Sequence, residues 1–217
     1  MSKLSADPLS KSVQKVRDWL WMFPSSSSSN SLTSWWLNCS PEPVLIDCPD
    51  LSPEVISDLR KLSIGLQPKI ILTNRDSHGK VSQLHKEFGW QVLLHEQESY
   101  LLPGIEKLET FSEEAITSSG LKLLWTPGAT PGSCVVYAPA PWNVLFCGRL
   151  LIPVATDQLG LIRSKRTFHW SIQKKSFKKL CQWIRSDQLP LLASGGSVHL
   201  LGDEKILPWG AVQTLRN

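Results

Sequence analysis

Lys69-Ile-Ile-Leu-Thr-Asn-Arg-Asp-Ser-His-Gly79 changes character in its middle. Its first half is a short apolar run with β-branched residues, the signature of a strand buried on both faces. Its second half is polar and ends in glycine. Beyond it Val81, Leu84, His85 and Phe88 recur at helical spacing, and Gly89 supplies the stop. Strand, polar turn and helix in that order predict one unit of an open α/β sheet. Ligand sites in such sheets gather at the carboxyl ends of the strands, so the turn Asn74 to Gly79 is the first place to look for chemistry.

Working outward, the pattern repeats. Val44-Leu-Ile-Asp47 reads as a strand after the turn residues Ser40-Pro-Glu-Pro43. Ser52 can cap a helix with Pro53 at its first position and Val55, Ile56, Leu59 and Leu62 on one face. Gln91-Val-Leu-Leu94 is the next strand. Upstream, Trp19–Phe23 and Thr33–Cys39 read as strands around the serine tract Pro24-Ser-Ser-Ser-Ser-Ser-Asn-Ser31, expected to be a hairpin loop. Downstream, strands are expected at Leu121–Trp125, Cys134–Tyr137, Val144–Cys147 and Leu189–Ala193. A helix is expected from Ser171 to Arg185, with Ile172, Phe177, Leu180 and Ile184 inward and lysines outward. Residues 1–18 are read as a polar lead-in and residues 19–217 as one domain. The class is α/β, with mixed sheets covered by helices.

Composition excludes other classes. The 217 residues are 41% hydrophobic and 19% charged with a net charge of +4, which excludes wholesale disorder. The longest uncharged stretch, Leu123 to Gly148, is interrupted by Pro127, Pro131, Pro139 and Pro141, so no transmembrane helix and no membrane association are expected. Trp19-Leu-Trp-Met-Phe23 is too short for a signal-peptide core. Five cysteines without a C-x-x-C pair point away from a disulfide framework or zinc finger and toward a reducing, cytoplasmic setting.

Four polar loops lie at strand ends: Leu72–Gly79, Thr126-Pro-Gly-Ala-Thr-Pro-Gly-Ser133, Phe146-Cys-Gly-Arg149 and Ala193-Ser-Gly-Gly196. They are candidates to meet at one rim. Together with Leu45-Ile-Asp47 and Phe168-His-Trp-Ser171, their order resembles the metallo-β-lactamase superfamily, most closely its hydroxyacylglutathione-hydrolase-like branch in photosynthetic organisms. The resemblance runs from about residue 19 to residue 200. It implies an αβ/βα four-layer sandwich of two mixed β-sheets flanked by helices.

In active members of that superfamily, His and Asp side chains on these loops hold one or two metal ions. Carried over position by position, the first His falls on Asn74 and an Arg-Asp pair on Arg75-Asp76. The following Asp and His fall on Lys80 and Val81. The His of the P-G-H-T-P-G loop becomes Ala129, the Asp after the third strand end becomes Arg149, and the last His becomes Gly195 or, as the weaker match, Gly196. Only Asp76 retains a carboxylate. A catalytic zinc needs at least three protein ligands, and the cations Lys80 and Arg149 repel a dication if they point inward. Arg149 cannot shed its proton, so it is a candidate to take the metal's place and pair with Asp76. No metal and no cofactor are expected.

The resemblance therefore implies a protein that has kept the fold and lost the metal site, a non-catalytic binding or regulatory pseudoenzyme. Its partner would be a protein or a small ligand in the former active-site cleft. The alternative is a thioesterase-like hydrolase with a relocated site, for which Asp76 and His78 are a conceivable substitute pair. A third reading is nucleic-acid binding. Arg163, Lys165, Arg166, Lys174, Lys175, Lys178 and Lys179 form a basic stretch with no acidic residue, beside Trp170 and Trp183; a solvated helix face is the plainer account. His85, His95, His169 and His199 lack paired ligand spacing. Cys48 and Cys147 read as small buried hydrophobes, and no G-x-S-x-G elbow is present.

Overall fold

The computed structural model describes residues 12–24 and 32–213. Residues 25–31 of the serine tract and residues 1–11 of the polar lead-in lie outside the described residues. Seven strands form the first sheet, in chain order from edge to edge: β1 (Gln14–Arg17), β2 (Leu20–Phe23), β3 (Ser34–Leu37), β4 (Val44–Ile46), β5 (Lys69–Ile71), β6 (Gln91–His95) and β7 (Leu108–Phe111). β1 to β4 are antiparallel neighbours, whereas β4 to β7 run parallel. The parallel connections carry helices α1 (Pro53–Leu62) and α2 (Val81–Phe88).

The second sheet contains β8 (Glu114–Ile116), β9 (Lys122–Trp125), β10 (Cys134–Ala138), β11 (Val144–Phe146), β14 (Leu191–Ala193) and β15 (Leu207–Pro208), in the order β15-β14-β11-β10-β9-β8. β12 (Ile152–Ala155) and β13 (Gln158–Gly160) form a separate hairpin, and helix α3 (Trp170–Trp183) precedes β14. The result is the four-layer αβ/βα sandwich.

Side-chain alternation builds it. Successive residues of a strand point to opposite faces, and in the first sheet each face has its own core. Trp35, Ile46, Ile71 and Leu93 join Leu123, Val135, Leu145 and Leu192 of the second sheet. Their neighbours Trp36, Leu45, Ile70 and Val92 join Val55 and Leu59 of α1 and Val81 and Leu84 of α2. Phe177 and Leu180 of α3, with Ile184 just past its end, tie the helix into the core of the second sheet.

The helix ends follow the sequence. Ser52 caps α1 by accepting from the Val55 amide, Pro53 opens it, and Gly89 closes α2 in the left-handed conformation at φ 67°. α3 begins and ends within two residues of the expected bounds, and polar Gln173 and Ser176 are buried on it beside the expected apolar face. They meet the Thr126–Ser133 loop: Ser176 Oγ donates to the Pro127 carbonyl at 2.6 Å. A β-carbon on Gly128 would lie 2.4 Å from the Gln173 Cα, so only glycine allows this approach.

Several strands escape a reading of the sequence. Gln14–Arg17 falls inside the expected polar lead-in, yet it is β1, a largely exposed edge strand with no buried face to give it an apolar pattern. β7 and β8 are the opposite edges of the two sheets, and short β12, β13 and β15 alternate too little to be seen.

Candidate functional site

The four loops do converge. The Cys134 amide donates to the Thr73 carbonyl at 2.8 Å, the Cys147 amide to Ala193 at 2.8 Å, and the Gly195 amide to Gly148 at 2.9 Å. These bonds join the ends of β5, β11 and β14 to the start of β10, with the Thr126–Ser133 loop between β9 and β10.

Asp47, just past β4, is the buried anchor of this rim. It takes a left-handed backbone, φ 64°, and is 1% exposed. Its carboxylate accepts from the Thr73 amide at 2.7 Å, from Thr73 Oγ1 at 2.8 Å and from Ser77 Oγ at 2.6 Å. Burial nevertheless pushes its pKa up to about 6, against the pull of the Ser77 and Thr73 donors. Sequence reading missed this role; the signal available was a carboxylate ending an all-apolar strand.

Above it lies a single turn, Arg75–Ser77. Asn74 is buried and spends its amide locally, with Oδ1 accepting from the Asp76 amide at 3.1 Å and Nδ2 donating to Thr73 Oγ1 at 2.9 Å. Asp76 pairs with two arginines from other loops. Its Oδ2 accepts from Arg149 Nη1, and its Oδ1 accepts from Arg166 Nη2 at 2.9 Å. The side chains of Asp76 and Arg149 are 14% and 17% exposed, whereas that of Arg166 is 49% exposed and reaches in from the rim. Burial, and then the charge of Arg166, lower the pKa of Arg149.

The other carried-over positions go elsewhere. Lys80 is exposed at the start of α2, and Val81 is buried in the helix-facing core, so neither joins Asp76. The N-terminus of α2 lies against the helix side of the first sheet, which draws the pair away. Ala129 is buried, and its carbonyl accepts from the Phe168 amide at 3.1 Å. A β-carbon on Gly195 would lie 2.8 Å from the Gly148 carbonyl oxygen. One on Gly196 meets only Leu32 and Ile152, at 3.6 and 3.7 Å, so of the two glycines it is Gly196 that has room for a side chain.

The basic stretch is divided. Arg163, Lys165 and Arg166 lie on the loop before α3, and Arg166 turns into the cleft. Lys174, Lys175 and Lys178 are exposed on α3. Lys179 is held at 2.9 Å by Glu113 and lies over the Trp125 ring. Trp183 donates its indole N–H to Glu114 and packs edge-on against Tyr137.

The remaining histidines and cysteines are scattered. His85 bonds the Trp90 carbonyl, and His95 bonds the Ser112 carbonyl while stacking on Trp125. His169 and His199 are exposed. His78 is buried, its Nε2 has no partner among the described residues, and desolvation followed by the Arg75 charge lowers its pKa to about 4. Cys48, Cys134 and Cys147 are buried, and burial raises all three thiol pKa values, that of Cys48 to about 12, so none is poised as a nucleophile.

The residues present do not fit a catalytic metal. Asp76 has both oxygens in guanidinium hydrogen bonds, the Asn74 amide is used inside its own turn, and among the described residues no three His, Cys, Asp or Glu side chains are grouped to hold an ion.

No protein-family model matches the sequence, and no curated protein matches it. Solved structures do. The B3 metallo-β-lactamase BLEG-1 aligns over 88% of this chain and 95% of its own, with 21% identity and a TM-score of 0.65. TTHA1623, solved in a di-iron-bound form, aligns over 81% and 92% with 23% identity and a TM-score of 0.60. ETHE1 from Myxococcus xanthus aligns over 86% and 78% with 16% identity and a TM-score of 0.61. Two mixed sheets, four converging strand-end loops and this likeness in three dimensions lead to one conclusion: the chain has the metallo-β-lactamase fold.

Proposed function

We propose that this protein is a metal-free descendant of the hydrolases built on its fold, a non-catalytic module that binds a ligand or partner in the cleft where its structural relatives carry metal chemistry. The observation that carries the reading is the double clamp on Asp76. The one carboxylate left from the ligand set has each oxygen engaged by a different guanidinium. A cation at intermediate effective dielectric repels a dication ~4–6 Å away by several kcal/mol, and neither arginine can relieve that by losing its proton near neutral pH. Five free cysteines, four of them buried, support a reducing and cytoplasmic setting. Among the described residues no helix is long and apolar enough to cross a membrane. A single domain that takes in β1 as well as the expected residues 19–217 belongs to the same reading.

Elemental analysis tests it. Protein produced in medium supplemented with zinc, iron and manganese should carry less than about a tenth of an equivalent of each metal. Stoichiometric metal that is lost on Asp76→Ala, or turnover of a glutathione thioester that depends on Asp76, would establish a relocated hydrolase site instead.

A further inference from the structure

The cleft has reversed its charge preference. Arg149 and Arg166 come from different elements, the turn after β11 and the loop before α3, and converge on the two oxygens of one carboxylate. Two guanidiniums on one oxyanion is the geometry with which proteins hold carboxylates and phosphates. Here the oxyanion is supplied by the chain itself. We propose that this is an oxyanion-binding site, that its ligand is a small molecule ending in a carboxylate or phosphate group, and that Asp76 is its built-in competitor.

Three observations carry the inference, which rests on the metal-free reading of the same cleft. First, Arg149 is underused. A guanidinium offers five N–H donors, and this one, with a side chain 17% exposed, makes its single described hydrogen bond through Nη1. A cation so far out of water is held best by more acceptors than one carboxylate oxygen. Second, the cleft is graded. The Arg149 side chain is 17% exposed and that of Arg166 49%, so an oxyanion arriving from solvent meets Arg166 first and Arg149 behind it. Third, the surroundings attract anions. Arg163 and Lys165 are exposed on the loop that carries Arg166, Arg75 is exposed beside Asp76, and no acidic residue occurs between Asp157 and Asp187.

A competitor built into the site has a distinctive consequence. Asp76→Asn keeps the shape of the side chain and removes its charge, so the Arg149 guanidinium no longer has a competing carboxylate. Affinity should then rise, whereas an ordinary ligand-binding residue loses affinity when altered.

The test is a calorimetric titration of the full chain with inorganic phosphate and with acetate at constant ionic strength. One saturable site is expected, at least tenfold weaker in Arg149→Gln and about tenfold tighter in Asp76→Asn. Arg149→Lys keeps the charge without the fork and should also weaken binding, which covers the case in which Arg149→Gln fails to fold. Stronger binding of phosphate or of acetate names the group; either supports the site. Binding that is equal in wild type and Arg149→Lys, or weaker in Asp76→Asn, overturns the proposal. Binding that follows Lys174→Gln and Lys178→Gln overturns it in favour of the α3 surface, the face a nucleic acid would use. Absence of phosphate and acetate binding by a metal-free protein rejects this inference alone, whereas stoichiometric metal rejects the reading beneath it.

Discussion

A β-carbon on Gly148 would lie 2.7 Å from Oγ1 of Thr73. The end of β11 in one sheet therefore touches the end of β5 in the other, and Arg149 is delivered to Asp76 from that contact. Gly148 also has φ 51°, so its lack of a side chain serves both the close approach and the backbone. Gly148→Ala should destabilise the protein by about 2–4 kcal/mol, from strained backbone plus overpacking. Urea unfolding would measure this, and an unchanged midpoint would show that the seam adapts.

The Asp76 clamp predicts an asymmetry between its members. Removing Arg149 leaves Asp76 one guanidinium, whereas removing Asp76 leaves the largely covered Arg149 beside half-exposed Arg166 with no anion between them. Asp76→Ala should therefore cost about 3 kcal/mol and Arg149→Ala about half of that. The double variant should cost less than the sum of the two, since the residues interact directly. A double-mutant cycle by denaturant unfolding reads all three numbers.

Two buried groups set opposite pH dependences. Asp47 has its pKa raised to about 6 by burial, so between its ordinary value of 3.8 and about 6 the folded protein binds more protons than the unfolded chain. Its contribution to stability is lost as pH rises through that window. His78 has its pKa lowered to about 4 from 6.5, again mainly by burial, so its contribution is lost as pH falls through the interval. The two offset each other in the wild type. Asp47→Asn should expose a stability that climbs from pH ~4 to ~6.5, and His78→Gln one that declines over the same range. Unfolding midpoints at three pH values distinguish these slopes from a shared, unchanged profile.

Thiol chemistry gives a simple probe of the fold. Cys181 is exposed on α3, whereas Cys39, Cys48, Cys134 and Cys147 are buried with raised pKa values. An aromatic disulfide reagent should modify one thiol quickly in the native protein and the other four only on unfolding. Rapid modification of Cys48 or Cys147 would contradict the packing at the strand ends.

Much of the fold was legible because burial on both faces leaves a mark in the sequence. Lys69–Ile71, Gln91–His95 and Cys134–Ala138 are apolar runs bounded by turn residues, and the helix ends at Ser52, Pro53 and Gly89 are local chemistry. β1 and β8 were not legible. An edge strand half in water needs no apolar pattern and is defined by its neighbour's hydrogen bonds. Asp47 was visible as a residue but not as the buried acceptor for Thr73 and Ser77, because nothing local records what closes over it.

The identity of a side chain is fixed by the sequence: Asn74, Ala129 and Gly195, the positions that the resemblance pairs with histidine ligands, offer no imidazole nitrogen in any fold. Which replacement entered the cleft was decided by tertiary structure alone. Lys80 and Arg149 are both cations that the resemblance pairs with ligand positions, yet Lys80 remains exposed at the start of α2 while Arg149 follows a strand end and pairs with Asp76. Arg166 is 90 residues from Asp76 in the chain and reached the same carboxylate from a loop the sequence reading assigned to a basic face. Electrostatic partners are chosen by distance in space, which a linear sequence does not contain.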